Sequence, residues 1–169
     1  MISLGIDPGT VQMGYCFYDG STIVKSGTVK TQDWKKGKNT LEFLQCTDAF
    51  ISELLDLKPD IVWIERTFAQ TAMYSSLLVI MTNVMLDRTR TVAPTKSPSV
   101  KQWRKILTNN GAIDKKRIIA YIKKRFDIEC SDDEAEAIGI SVAAHESYGK
   151  EPDIKRRKSS TAKQLVVKP

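Results

Sequence analysis

Residues 2–31 read ISLGIDPGTVQMGYCFYDGSTIVKSGTVKT, and the punctuation of this stretch decides the fold class. The apolar run 2–6 predicts a buried strand that stops at Asp7-Pro8-Gly9, because proline lacks a ladder donor and glycine permits a tight turn. Residues 14–19 and 22–31 are rich in β-branched and aromatic types, with Asp19-Gly20 between them, which predicts a hairpin. The period then changes. Across 39–57, Leu41, Leu44, Phe50, Ile51, Leu54 and Leu55 fall largely on one helical face, and Pro59 follows the end. Residues 60–65, DIVWIE, predict a buried strand running straight into Glu65. Beyond it, 72–88 predict a helix, 90–93 a short strand closed by Pro94, and Pro98 to Leu107 a helix ended by Asn109-Asn110-Gly111. Two more helices are expected, from Asp114 to about Phe126 and from Asp132 to about Tyr148, the latter opened by Ser131 and Glu134 at capping-box spacing. Strand, hairpin, helix, strand, helix, strand, helices describes a three-layer α/β domain over 1–148, its sheet made mixed by the hairpin. Residues 149–169 mix Lys, Arg, Ser and Pro without apolar periodicity and are expected to form a disordered basic tail.

Composition narrows the chemistry. At 169 residues, 41% hydrophobic and 27% charged, the chain is ordinary for one globular domain. Cys16, Cys46 and Cys130 lie far apart with no CxxC pair, so buried free thiols are expected. The N-terminus lacks a signal-peptide pattern, and no apolar stretch approaches the roughly 20 residues of a membrane span, which points to a cytoplasmic protein. His145 is the only histidine. That disfavours zinc proteases of the HExxH type, histidine-based metal nucleases and Ser-His-Asp hydrolases, and leaves carboxylates and lysines to carry catalysis. Charge is blocked: residues 95–126 hold 10 basic and 1 acidic side chains, whereas 127–148 hold 7 acids and no Lys or Arg. Cations beside clustered acids suit a phosphodiester enzyme, the cations holding a polyanion and the acids a metal. A lysine-rich solvated surface is the plainer reading.

The candidate metal ligands follow from position. Asp7 and Glu65 each end an expected core strand, where α/β sheets build their sites. Asp133 and Glu136 are three apart on a helix and share a face, which Asp132, four before Glu136, could also share. Acids gathered closely repel unless a cation neutralises them. Hard oxygen donors without Cys or His favour Mg²⁺, with Mn²⁺ able to substitute. Two such ions about 3.5–4 Å apart would activate water and stabilise a leaving oxygen. Each acid also has a modest explanation: a turn at Asp7, a surface pair of Glu65 with Arg66, and simple helix-start acids at 132–134.

Three stretches taken together, GIDPGTVQMGYCFYD, WIERTF and DDEAEAIGIS, resemble the motifs of the RuvC family of Holliday-junction resolvases, in order and over about residues 1–145. The resemblance implies an RNase H-like fold with a mixed five-stranded sheet flanked by helices, and a metal-binding set of Asp7, Glu65, Asp133 and Glu136. Glu136 replaces the usual Asp, and Asp132 is an extra acid, so which of Asp132 and Asp133 is the ligand stays open. Phe68 matches an aromatic near the junction centre that stacks on bases, or else serves the core or a dimer interface. The family's two lysines fall at Lys101 and at Lys115 or Lys116, where they would meet phosphate or developing charge. Arg66, Arg104 and Lys105 are expected to contact DNA, as are Lys123, Lys124 and Arg125 by following phosphates.

The resemblance further implies a homodimer that nicks opposing strands of a four-way junction symmetrically. The helix over 72–86, apolar nearly all round, is the expected dimer contact or else is buried within one subunit. Other readings are a branched-DNA (fork) nuclease, an RNase H-like nuclease, an actin-like ATPase suggested by D-x-G-T, and a non-catalytic junction-binding module. A helicase partner is not identified by the residues.

Overall fold

The computed structural model describes residues 1–67 and 74–148. Phe68 and the expected basic tail lie outside the described residues. In chain order the elements are β1 (Ser3–Asp7), β2 (Met13–Tyr18), β3 (Ile23–Val29), a short α1 (Gln32–Lys35), α2 (Thr40–Leu55), β4 (Ile61–Ile64), α3 (Tyr74–Arg90), β5 (Thr95–Lys96), α4 (Val100–Thr108), α5 (Lys115–Phe126) and α6 (Asp132–Tyr148).

The strands form one five-stranded sheet in the order β3-β2-β1-β4-β5. β1 and β2 pair antiparallel, as do β2 and β3, while β1–β4 and β4–β5 are parallel. The hairpin turn is locked by the Asp19 carboxylate, which accepts from the backbone N–H groups of Ser21 and Thr22 at 2.8 and 2.7 Å. The last strand is displaced from its expected place at 90–93. α3 continues to Arg90, the Val92 and Ala93 N–H groups fold back onto the Thr89 carbonyl, and the Pro94 carbonyl accepts from Val62 N at 3.0 Å to start the ladder. Only Thr95–Lys96 is strand.

Alternation sorts the core into two layers. Leu4, Ile6, Met13, Phe17, Val62 and Ile64 point to the side covered by α2 and α3. Cys16, Tyr18, Ile61 and Trp63 point to the side covered by α4, α5 and α6. Each fully buried aliphatic or aromatic side chain contributes about 1.5–3 kcal/mol. Of the three thiols expected to be buried, only Cys16 is fully so; Cys46 and Cys130 are half-buried, and all three are free. No helix among the described residues is long and apolar enough to cross a membrane.

α6 sits against the sheet with almost nothing between. A Cβ on Gly5 would come within 2.5 Å of the Ala137 carbonyl oxygen, and one on Gly14 within 2.1 Å of the Asp133 carbonyl oxygen. Ser141 Oγ donates to the Ser3 carbonyl at 2.9 Å, pinning the helix to β1. This close seat explains why every residue from 135 to 144 of α6 is buried: the sheet lies on one side, and α4 and α5 cover the other. The helix start is also tied to the sheet. Glu134 N donates to Ser131 Oγ at 3.3 Å, but the Glu134 carboxylate accepts from Ser26 Oγ on β3 at 2.7 Å.

Candidate active site

β1 and β4 run parallel, and their register continues one step past the strand end, where Glu65 N donates to the Ile6 carbonyl at 3.0 Å. Asp7 and Glu65 are therefore neighbours at the carboxyl end of the sheet. The seat of α6 on Gly14 brings its first two turns to the same place. Asp7, Asp133 and Glu136 each offer an oxygen within 4.8 Å of the other two. Asp132 is exposed and outside this group, so the helix rotation turns Asp133, not Asp132, toward Asp7 and Glu136.

Glu65 is held differently. Its Oε2 accepts from the Trp103 indole N–H at 2.6 Å. It makes no pair with Arg66, which is exposed. Glu136 is buried and gripped from both sides: Arg104 Nη2 lies 2.8 Å from Oε1, and Lys115 Nζ lies 2.5 Å from Oε2. Lys115 also reaches Asp133 Oδ1 at 3.9 Å. Of the two lysines left open by the sequence, Lys115 is in the cluster and Lys116 is exposed on the next position of α5. Lys101 and Lys105 are exposed on α4, and neither is paired with the four acids.

Arg104 requires a correction. Its side chain is only 11% exposed, and it donates to the Ile113 carbonyl at 2.9 Å as well as to Glu136. It is committed to the acid cluster and the α4–α5 connection, not turned outward to follow phosphate. Arg125 is likewise drawn to Glu146 at 3.1 Å, and Lys123 lies 3.7 Å from Glu129. Trp103 as the Glu65 partner was not foreseen. Nothing in local sequence marks which face of an amphipathic nine-residue helix meets a carboxylate from a distant strand.

The electrostatics are those of acids crowded in a poorly solvated place. Burial pushes the Asp7 carboxyl well above its usual range, and Glu65, Glu136 and Asp133 push it further, with Lys115 opposing. Burial also raises Glu65, against the lowering hydrogen bond from Trp103. Asp133 is raised chiefly by burial, with Lys115 opposing and Glu136 adding. Burial works against the charge on Lys115, but its bond to Glu136 and the nearby acids outweigh this and raise it. Asp7 thus has a strong electrostatic demand for another cation, which Lys115 does not satisfy. An all-oxygen donor set with three acids in mutual reach fits a hard divalent ion.

No family model and no curated protein matches the chain. Solved structures do. Thermus thermophilus RuvC superposes with a TM-score of 0.73 at 18% identity, over 88% of this chain and 96% of that one. T. thermophilus RuvC in complex with Holliday junction substrate gives 0.72 at 16%, with the same coverage. The Fowlpox virus resolvase in complex with substrate Holliday junction DNA gives 0.55 at 15%, over 88% of this chain and 99% of that one. The chain shares their fold, a mixed five-stranded sheet between helical layers.

Proposed function

We propose that the chain is a structure-specific DNA endonuclease, a Holliday-junction resolvase that makes paired symmetric nicks in four-way junctions by metal-assisted phosphodiester hydrolysis. The observation that carries this reading is the meeting of Asp7, Asp133 and Glu136 within 4.8 Å at the end of β1, beside Glu65. Two of the structures sharing its fold are complexes with junction DNA.

Asp7, Asp133 and Glu136 would hold magnesium, two ions per site with Glu65 completing the set, and manganese would substitute. Bound there, the metal supplies Lewis-acid stabilisation of the phosphodiester and lowers the pKa of attacking water. The chain's own residues set the stage for that step. Asp7, made proton-avid by its neighbours, is the oxygen donor most relieved by a cation. Trp103 orients Glu65, and Arg104 fixes the rotamer of Glu136. Lys115, beside two acids, is placed to offset negative charge that develops on the phosphate oxygens. Water adds to phosphorus, the bond to the 3′ oxygen breaks, and that oxygen takes a proton, leaving 5′-phosphate and 3′-hydroxyl ends.

Paired incision needs a two-fold enzyme, so the working form is a homodimer. α3 buries Met81, Met85 and Leu86 within the subunit and leaves Ile80 exposed, which offers an outer face for that contact.

A cleavage assay on a labelled four-way junction, a replication fork and a linear duplex, with Mg²⁺ and with EDTA, tests the reading. Symmetric metal-dependent nicks on the junction alone are expected. Asp7→Asn and Glu65→Gln should stop cutting while retaining junction binding. Equal cutting of forks would broaden the enzyme to a branched-DNA nuclease, and binding without cutting by the wild type would overturn catalysis.

A further inference from the structure

α4 separates two places. Trp103 and Arg104 turn to Glu65 and Glu136, while Gln102, Lys105 and Ile106 face a cavity of about 740 Å³ on the other side. Arg66, the residue directly after Glu65, lines this cavity, so the two places adjoin within one residue. Arg90, from the end of α3, and Lys96, on β5, add further positive charge, and none of the lining residues is acidic. Arg66, Arg90 and Lys105 have no ion-pair partner among the described residues. An anion entering this space would meet these three cations.

Two further observations specify the anion. The space is far larger than a lone phosphate needs and falls within the range of small-molecule pockets. Its lining is partly apolar, from Trp63, Pro98 and Ile106. Gln102 uses its amide oxygen to accept from Ser99 N at 2.8 Å, which leaves its NH₂ group to donate.

We propose that this cavity seats one nucleotide of the strand flanking the cleaved phosphodiester. Arg66, Arg90 and Lys105 take its phosphate, the apolar lining takes its base, and Gln102 donates to the base edge. The identity of the strand rests on the nuclease reading above; the nucleotide seat itself rests on the cavity.

The test is a binding titration in EDTA, where no cutting intervenes, with labelled junction at several salt concentrations. Arg90→Gln/Lys105→Gln is compared with Lys25→Gln/Lys30→Gln, a control pair at the opposite edge of the sheet beside β3. Losing the contacts to that one phosphate should flatten the slope of log affinity against log salt by up to about 0.9. The control pair should leave the slope unchanged. Ile106→Trp, which fills the floor and keeps the cations, should weaken binding about tenfold at constant slope. A parallel arm titrates a deoxynucleoside monophosphate by ligand-observed NMR. Binding lost in the cavity pair shows that the seat takes a free nucleotide, whereas a slope change without monophosphate binding shows that it needs the strand. Equal slopes for wild type and both pairs, or equal flattening by both pairs, would overturn the seat. A protein that shows the flattened slope but never cuts would keep the seat and lose the nuclease reading. One that cuts junctions with an unchanged slope would lose the seat alone.

Discussion

Gly14→Ala is the most informative substitution because it replaces no acid yet should disable the site. The new Cβ would lie 2.1 Å from the Asp133 carbonyl oxygen, whereas ordinary contact begins near 3.4 Å. Both atoms belong to backbone or are fixed to it, so no rotamer change relieves the clash. The first turn of α6 must therefore move off β2 by about 1.3 Å, the difference between the two distances. Asp133 and Glu136 ride on that turn, and Asp7 does not. A misplacement of about 1 Å in a catalytic constellation costs on the order of 10²-fold in rate. Overpacking of this kind destabilises by about 1–3 kcal/mol, which lowers the melting temperature by roughly 2–12 °C in a protein of this size. The assay is single-turnover cleavage of a labelled junction, paired with Mn²⁺ titration and a thermal melt. The expected result is a folded variant about a hundredfold slower, with metal affinity weakened and junction binding in EDTA retained. Wild-type rate and metal affinity would refute the reasoning, because they would mean that the helix seat does not set the carboxylate geometry.

Further outcomes follow from the same contacts. Asp7, raised by burial and by its acidic neighbours, favours the protonated form in the folded state. Its stabilising contribution is therefore full below the ordinary carboxylate range and is lost as pH rises through the raised value. The melting temperature in EDTA should fall across that window, Asp7→Asn should remove this part of the fall, and Mg²⁺ should restore more stability at the upper end than at the lower; parallel profiles for the two proteins would count against the assignment. Trp103→Phe keeps most of the ring volume but deletes the donor to Glu65. A hydrogen bond to a charged group contributes about 1.5–3 kcal/mol, so kcat should drop roughly 10- to 150-fold with EDTA-state junction affinity unchanged. Arg104→Met leaves Glu136 with Lys115 alone, and the Ile113 carbonyl without its donor. Breaking a buried pair costs about 3 kcal/mol or more, seen as a fall of roughly 6–12 °C in a thermal melt.

The order of elements was legible because its signals are local: the turn at Asp7-Pro8-Gly9, the Asp19 turn of the hairpin, and the change of period after residue 39. Local signals also placed Asp7 and Glu65 each at a strand end, and Asp133 with Glu136 on one helix; that the two strands are neighbours came from the sheet. They failed at β5, whose two residues are strand only because Val62 and Trp63 of β4 lie alongside. They also left α1 unforeseen, a single turn too short for periodicity to show.

The amino-acid sequence by itself thus determined which chemical groups are present and on which element each sits, since periodicity and turn chemistry act over a few neighbouring residues. Only the tertiary structure brought Asp133 rather than Asp132, and Lys115 rather than Lys116, into the acid cluster, withdrew Arg104 from the surface, and gave Glu65 an indole partner. Those choices depend on how helices are rotated and how closely they approach the sheet. Rotation and approach are set by contacts such as Gly5 with Ala137 and Ser3 with Ser141, which bring together residues more than 130 positions apart.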